Sequence, residues 1–172
     1  MKSFAVVLMV AMSSLIVGCA TSGHHEVTTP VDMPRVAEFD KVNIIVTSQI
    51  DSAKPAFQTI ENRVASNLKA RFAQVQLQDN EKSAGVLDLK LEVTDFNKPN
   101  GFFRMMVGSL AGKNRVTVKA TLIDHTTQRV VGGFTGTGEH ASNAGIEIGD
   151  AGTYNAANAL GVEVAKYLHV AL

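Results

Sequence analysis

Apolar and polar residues alternate most strictly in the stretch VLDLKLEVTDF, residues 86–96. In an extended chain, successive side chains point to opposite faces of the sheet. The pattern therefore predicts a strand with one buried face and one solvated face. The predicted core residues are Leu87, Leu89, Leu91 and Val93, and the predicted solvent-facing residues are Asp88, Lys90, Glu92 and Thr94.

Four shorter segments carry similar strand patterns. They are KVNIIVT (41–47), AQVQLQ (73–78), RVTVKATLID (115–124) and RVVGGFTGTGEH (129–140), of which the last two are joined by a polar turn. A short turn between two alternating runs predicts a β-hairpin. The glycines of the last segment are best explained as strand positions that permit a close approach of the backbone to a neighbouring element.

Two segments show helical periodicity instead. In residues 51–72, Phe57, Ile60, Val64 and Leu68 recur at steps of three and four, and a second such series begins near Asp150. The apolar face of this second helix is small in its first half, which predicts close packing against a neighbour.

The predicted order of elements is β-α-β-β-β-β-α. Helices that interrupt a largely antiparallel sheet are typical of a two-layer α/β sandwich. We therefore predict a single α/β domain over residues 39–172, with a mixed, mainly antiparallel sheet of about five strands and two helices on one face.

The first residues have the pattern of an export signal. Lys2 is followed by an apolar run from Phe4 to Val17, which is shorter than the ~20 residues that a membrane-spanning helix needs. The run ends in LIVGC, which resembles the lipobox of bacterial lipoproteins. That resemblance implies a signal peptide over residues 1–18, cleavage by signal peptidase II between Gly18 and Cys19, and lipid on Cys19. It also implies that Ala20, which is not Asp, permits sorting to the outer membrane.

Residues 19–38 contain two prolines and no apolar periodicity, so we predict a lipidated N-terminus followed by a flexible tether. His24, His25 and Glu26 are neighbours with metal-binding side chains. No fixed scaffold or further ligand surrounds them in the sequence, so a solvated linker is the preferred interpretation.

Charge and motifs exclude several classes of function. The 172-residue chain has 16 basic and 16 acidic residues, a balance that disfavours nucleic acid as a partner. The stretch GSLAGKN has the wrong spacing for a nucleotide-binding loop, and G-x-S-x-G and H-E-x-x-H are absent. For His125, His140 and His169, turn and surface roles are favoured over catalysis. We predict no catalytic residues, no cofactor and no metal, although a site assembled in space is not visible in sequence.

The segment NGFFRMMVGSLAG, residues 100–112, is unusually apolar for a loop. Two hypotheses remain open: these side chains cap one end of the core, or they form a contact loop for a partner protein, another copy of the chain or the bilayer surface. The candidate contact residues are Phe102, Phe103, Arg104, Met105, Met106 and Leu110.

The chain resembles the DUF4410 family of bacterial lipoproteins. The resemblance rests on LIVGC, on GFFRMMVGSLAGKNRV and on VKATLIDHTTQRVVGG, and it extends from about Phe39 to Leu168. Where the turn in that family often has Asp-x-x-x-Gly, this chain has Asp124 followed by HTTQ. The resemblance implies no catalytic residues.

The sequence thus predicts a non-enzymatic lipoprotein at the periplasmic face of the outer membrane. It would bind an envelope protein or other copies of itself. The alternative is a small-ligand-binding or hydrolytic module with a pocket between sheet and helices.

Overall fold

The computed structural model describes residues 20–78, 84–99, 112–141 and 150–169. Within these ranges the strands are β1 (Ala20–Thr29), β2 (Lys41–Ser48), β3 (Gln74–Leu77), β4 (Val86–Asn97), β5 (Asn114–Asp124) and β6 (Val130–Ala141). The helices are α1 (Met33–Val36), α2 (Phe57–Leu68) and α3 (Ala151–His169), and a 3-10 helix covers Asp51–Ala56 immediately before α2.

The six strands form one sheet in the order β1-β6-β5-β4-β2-β3. β1, β6, β5 and β4 pair antiparallel in turn, whereas β2 is parallel to both β4 and β3. The predicted mixed α/β fold is confirmed. The hairpin predicted around residue 125 is also present as β5 and β6.

The core lies between the sheet and the two long helices. α3 packs on β6, β1 and β5, and α2 packs on α3 and β2. The strict alternation in β4 buries Leu87, Leu89, Leu91 and Val93, as predicted. The opposite residues Lys90, Glu92 and Thr94 are exposed.

Glycines allow α3 to lie unusually close to its neighbours. A Cβ atom added to Gly138 in β6 would come within 2.0 Å of the carbonyl oxygen of Ala156 in α3. One added to Gly161 in α3 would lie 2.9 Å from the carbonyl oxygen of Arg63 in α2. Since real Cβ atoms do not approach backbone this closely, both contacts require glycine. The close backbone approach predicted for the Gly-rich strand is therefore confirmed.

The prediction of a flexible tether over residues 19–38 is wrong for most of that segment. Ala20–Thr29 forms β1, paired with β6, and Met33–Val36 forms α1, whose Val36 is fully buried. The segment lacks apolar alternation because β1 is an edge strand with polar residues on its open face. On its inner face it presents Gly23 and His25 to α3.

Asp88 is the second departure from the sequence pattern. It was predicted to face solvent with Lys90, but it is buried. The amide of Asn43 donates a hydrogen bond to its Oδ1 at 3.0 Å, and Nδ1 of His125 lies 2.8 Å from its Oδ2. These partners compensate the carboxylate for lost water.

Candidate functional site

Most residues that the sequence singled out lie outside the described ranges. These include the predicted cleavage and lipidation residues Gly18 and Cys19, and the contact-loop residues Phe102, Phe103, Arg104, Met105, Met106 and Leu110. Ala20, the predicted sorting residue, is the first described residue and pairs with Ala141.

The described residues that flank these segments meet at one end of the sheet. At this end, Thr21 of β1 pairs with His140 of β6, and His140 also pairs with Asn114 at the start of β5. The next residue of β5, Arg115, pairs with Asn97 at the end of β4. We call this end of the sheet the anchor end. The chain therefore enters and leaves segment 100–111 at the end of the sheet where Ala20 and Thr21 lie.

Charged side chains at the anchor end are paired across elements. Nζ of Lys113 lies 2.9 Å from Oε2 of Glu139, Nε of Arg115 lies 2.9 Å from Oδ2 of Asp95, and Lys98 pairs with Asp150. Exposed pairs of this kind contribute little to stability, commonly ~0 to 1 kcal/mol each. They leave no excess of positive charge among these residues that would attract anionic lipid.

β1 and α3 form an open groove on one side of the sheet. Its central group is the carboxylate of Glu163 in α3, whose side chain is only 6% exposed. Nδ1 of His25 in β1 lies 2.9 Å from Oε2, and Nζ of Lys166 donates a hydrogen bond to Oε1 at 2.6 Å. A Cβ atom at Gly23 would lie 2.6 Å from Cγ of Glu163, so only glycine leaves room for this carboxylate.

The electrostatics of the groove favour an ionised Glu163. Burial alone would raise the pKa of this carboxyl, but the hydrogen bonds from Lys166 and His25 outweigh that effect and hold the pKa below its ordinary value. The groove has a volume of about 350 Å³ and opens to solvent along Thr21, Ser22 and Val162. The charged contact between His25 and Glu163 fixes the edge strand β1 to α3.

Tyr167 and Phe134 complete the attachment of β1. The ring of His25 packs edge-on against both aromatic rings, at centroid distances of 5.9 Å to Tyr167 and 6.1 Å to Phe134. The Tyr167 hydroxyl accepts a hydrogen bond from the Gly133 amide at 3.0 Å and lies 3.0 Å from the carbonyl oxygen of Thr29. β1 is thus held by side chains as well as by its ladder with β6.

The structure separates the three neighbouring residues that the sequence raised as metal ligands. Because strand residues alternate, His25 faces α3 while His24 and Glu26 point to the opposite face. Among residues 20–78, 84–99, 112–141 and 150–169, no group of three His, Cys, Asp or Glu side chains is arranged to hold a metal ion.

A second polar cluster lies at the far end of the sheet, around the turn after β5. Asp124 accepts hydrogen bonds from the backbone amides of Thr126 and Thr127 at 2.9 and 3.2 Å and from Arg35 at 2.5 Å. Burial would raise the pKa of Asp124, but the Arg35 and turn hydrogen bonds lower it to about 2. The polar turn predicted between these two strands is confirmed.

His125 and Asp88 in the same cluster resemble the base and orienting carboxylate of a hydrolase, with Nδ1 and Oδ2 2.8 Å apart. Nucleophilic catalysis also requires a hydroxyl or thiol in contact with the base. In the described part of the chain, no such group hydrogen-bonds to the His125 ring. The turn or surface role predicted for His140 is wrong, because His140 lies within β6 and is buried. Its ring lies 2.7 Å from the Thr21 hydroxyl and helps to fix β1.

A cavity between sheet and helices was expected for a ligand-binding module. A cavity of about 110 Å³ lies there, lined by residues that include Pro55, Thr59, Phe96 and Thr153. Sites for small molecules commonly measure roughly 300–1,000 Å³, so this one is small for an organic ligand.

No helix within the described ranges combines the length and apolarity needed to cross a bilayer.

The contact of Glu163 with Lys166 and His25 has no complete local signature in the sequence. Glu163 and Lys166 are three residues apart in α3, a spacing that places them on one helix face. His25, however, is 138 positions from Glu163. The feature of this contact that is visible in the sequence is Gly23, whose missing side chain leaves room for the Glu163 carboxylate.

Comparison with known proteins agrees with this architecture. A family model described as "Domain of unknown function (DUF4410)" matches residues 31–144. The match begins before Phe39, where the resemblance was first placed, and so includes α1. A search of curated proteins finds no match.

Two solved structures similar to this chain are PelC dodecamers from Paraburkholderia phytofirmans, one of them a single-residue variant. The variant is 21% identical and the other 20% identical. Each has a TM-score of 0.53, and each alignment covers 87% of this chain and 97% of that chain. At this level of identity the likeness establishes the fold.

Proposed function

The chain belongs to the DUF4410 family, and from that premise we propose that it is a lipid-anchored protein of the bacterial envelope that acts by assembling with other copies of itself, without catalysis. The observation that carries the proposal is β1. It is a long edge strand, unpaired on its outer side among the described residues, and it already includes Ala20, the residue after the predicted lipidation site.

The anchor is supported by the sequence around Cys19. The lipobox-like LIVGC follows a short apolar run, and Cys19 is the chain's single cysteine. Each buried lipid methylene contributes ~0.8 kcal/mol, so two or more acyl chains give lasting attachment. Since β1 starts at Ala20, the domain would stand directly on the membrane, without a long tether. Ala20 supports the outer membrane as the destination.

Self-association is supported by the fold and its edges. PelC, which shares the fold, forms dodecamers in both solved structures. Edge strands present unpaired amide and carbonyl groups and are natural templates for association. In the part of the chain that the structure describes, the sheet has two such edges, β1 and β3.

A non-enzymatic role is supported by the described polar clusters. Glu163, Asp124 and Asp88 are each occupied by hydrogen bonds that hold elements of the fold together. The cavity of about 110 Å³ offers little room for an organic ligand. In the larger groove of about 350 Å³ between β1 and α3, the Glu163 carboxylate is already bound by His25 and Lys166, which disfavours the alternative of a small-ligand or hydrolytic module.

The anchor is tested by processing of the full-length chain. Cys19→Ser, or treatment with globomycin, should leave the signal uncleaved and abolish incorporation of labelled fatty acid. Normal cleavage of the Cys19→Ser chain would reject the lipoprotein assignment.

Self-association is tested on the processed chain. Wild type extracted in mild detergent should sediment as a defined oligomer at micromolar concentration. A monomer under these conditions would reject assembly as its function.

A further inference from the structure

β1 has few of the features that normally prevent edge strands from pairing. Natural edges are shortened, or carry Lys or Pro, or are bent by bulges. β1 has ten residues and contains neither Lys nor Pro, and its ladder with β6 is irregular only between Val27 and Thr29. The opposite edge, β3, is only four residues long. Of the two edges, β1 is therefore the one more open to pairing with a strand of another chain.

Each edge also leaves one large apolar side chain in solvent. Val27 in β1 is 54% exposed and Leu77 in β3 is 41% exposed. Their cross-strand neighbours are Phe134 and Ile44, both fully buried in the core. Directly paired residues lie on the same face of a sheet, so Val27 and Leu77 both lie on the helix-bearing face. A continuous sheet formed by two copies would bring these two residues to the same face of the junction.

Strand directions are compatible with such a junction. Following the pairings across the sheet, β1 runs antiparallel to β3. If adjacent copies are related by rotation about an axis along the strands, β1 of one copy meets β3 of the next in antiparallel orientation. The helices of both copies then remain on the same face.

The position of the predicted anchor distinguishes this arrangement from a symmetric pair. Two β1 strands related by a two-fold axis would also be antiparallel, but their Ala20 ends would lie at opposite ends of the strand pair, roughly 30 Å apart for ten residues. Rotation about an axis along the strands instead places every Ala20 at one end. That is the arrangement in which all copies reach one membrane.

We infer that copies of this chain join head to tail, with β1 of one copy pairing with β3 of the next and with Val27 and Leu77 as neighbours on the helix-bearing face of the junction. The inference rests on the self-association of the proposed function. An interface between two different surfaces generates a closed ring when the rotation closes. The ring axis would be along the strands, with the anchor ends facing the membrane.

Site-specific cross-linking tests the junction in the full-length protein. Val27→Cys and Leu77→Cys chains are produced with different tags in the same cells, and membranes are treated with a mild oxidant or a short bismaleimide. The expected product is a dimer that carries both tags, with neither chain cross-linking to itself. A chain with both substitutions should give a ladder of dimers, trimers and larger species.

A matched control uses a third exposed valine. Val130 is 48% exposed at the start of β6, beyond the residues that pair with β1. Val130→Cys should not cross-link to Leu77→Cys. Likewise, Val27→Lys should dissociate the oligomer in sedimentation, because lysine is a natural blocker of edges, whereas Val130→Lys should leave it intact.

Each other outcome contradicts the inference in a different way. Dimers from Val27→Cys alone would indicate a two-fold β1 contact. An oligomer of normal size without the mixed cross-link would reject the edge junction and leave self-association standing. A monomeric wild type would reject the proposed assembly and the junction together.

Discussion

The contact between Gly138 and α3 gives a sharp test of the packing. A methyl group at residue 138 would lie 2.0 Å from the Ala156 carbonyl oxygen and 2.5 Å from the Leu160 amide nitrogen. Both are backbone atoms of a helix, so no side chain can rotate away. Gly138→Ala should therefore displace α3 by about 1 Å or more, since ordinary contacts lie near ~3.5 Å.

The displacement loosens the packing of buried Leu160, Val164 and Leu168 against the sheet. Overpacking of a tight core typically costs ~1–3 kcal/mol and occasionally more, and we expect Gly138→Ala to lower the free energy of unfolding by about 3 kcal/mol. For a domain of this size that corresponds to a fall in Tm of roughly 6–12 °C.

Urea denaturation of the full-length chain in mild detergent, followed by far-UV circular dichroism, measures this change. Gly133→Ala is the matched control, because its methyl group would point to the opposite face of the same strand. Its nearest atom there would be the Ala120 carbonyl oxygen at 3.1 Å. It should change the free energy of unfolding by less than about 1 kcal/mol. Equal stability of Gly138→Ala and wild type, or equal losses in both variants, would refute the close packing of α3.

Two further predictions concern charge. The pKa of Asp124 is lowered to about 2 in the folded chain from an ordinary value of 3.8, so its contribution to stability is present above pH ~4 and is lost as the pH falls toward 2. Asp124→Asn should therefore destabilise the domain at pH 6 much more than at pH 2.5 in parallel urea titrations, and a difference independent of pH would contradict the Arg35 contact. Leu89→Asp should cost about 4 kcal/mol or more by burying an unpaired charge, whereas Lys90→Asp should cost less than about 0.5 kcal/mol. Similar losses for both would mean that the register of β4 is shifted by one residue.

The elements that the sequence predicted share one property. β4, β5 and α2 each have an apolar face against the core and a polar face toward water, and that contrast is visible along the chain. Their order then restricts the fold to a sheet with helices on one face. Because this contrast is local, β4, β5 and α2 are predictable without any knowledge of contacts between distant residues.

β1 shows where such patterns fail. Its inner face includes Gly23 and His25, whose suitability is apparent only once Glu163 is known to lie opposite. An edge strand also exposes its second face, so its polar residues resemble those of a linker. Asp88 was also mispredicted because its partners are distant in the sequence. Its place in the β4 alternation is that of a solvent-facing residue, but Asn43 and His125 from other elements supply the hydrogen bonds that allow its burial.

The apolar segment at residues 100–111 enters and leaves the domain at the anchor end, where the proposed lipid attaches. If its side chains form a contact loop, replacing Phe102, Phe103 and Met106 together by Ser should leave Tm within a few degrees and abolish capture of a cross-linked partner in intact envelopes. If they cap the core, the same change should unfold the domain, because large apolar side chains truncated in a packed interior each cost ~2–5 kcal/mol. Thermal unfolding of the full-length variant distinguishes the two. A large fall in Tm would reject the contact loop and leave the edges of the sheet as the interaction surface.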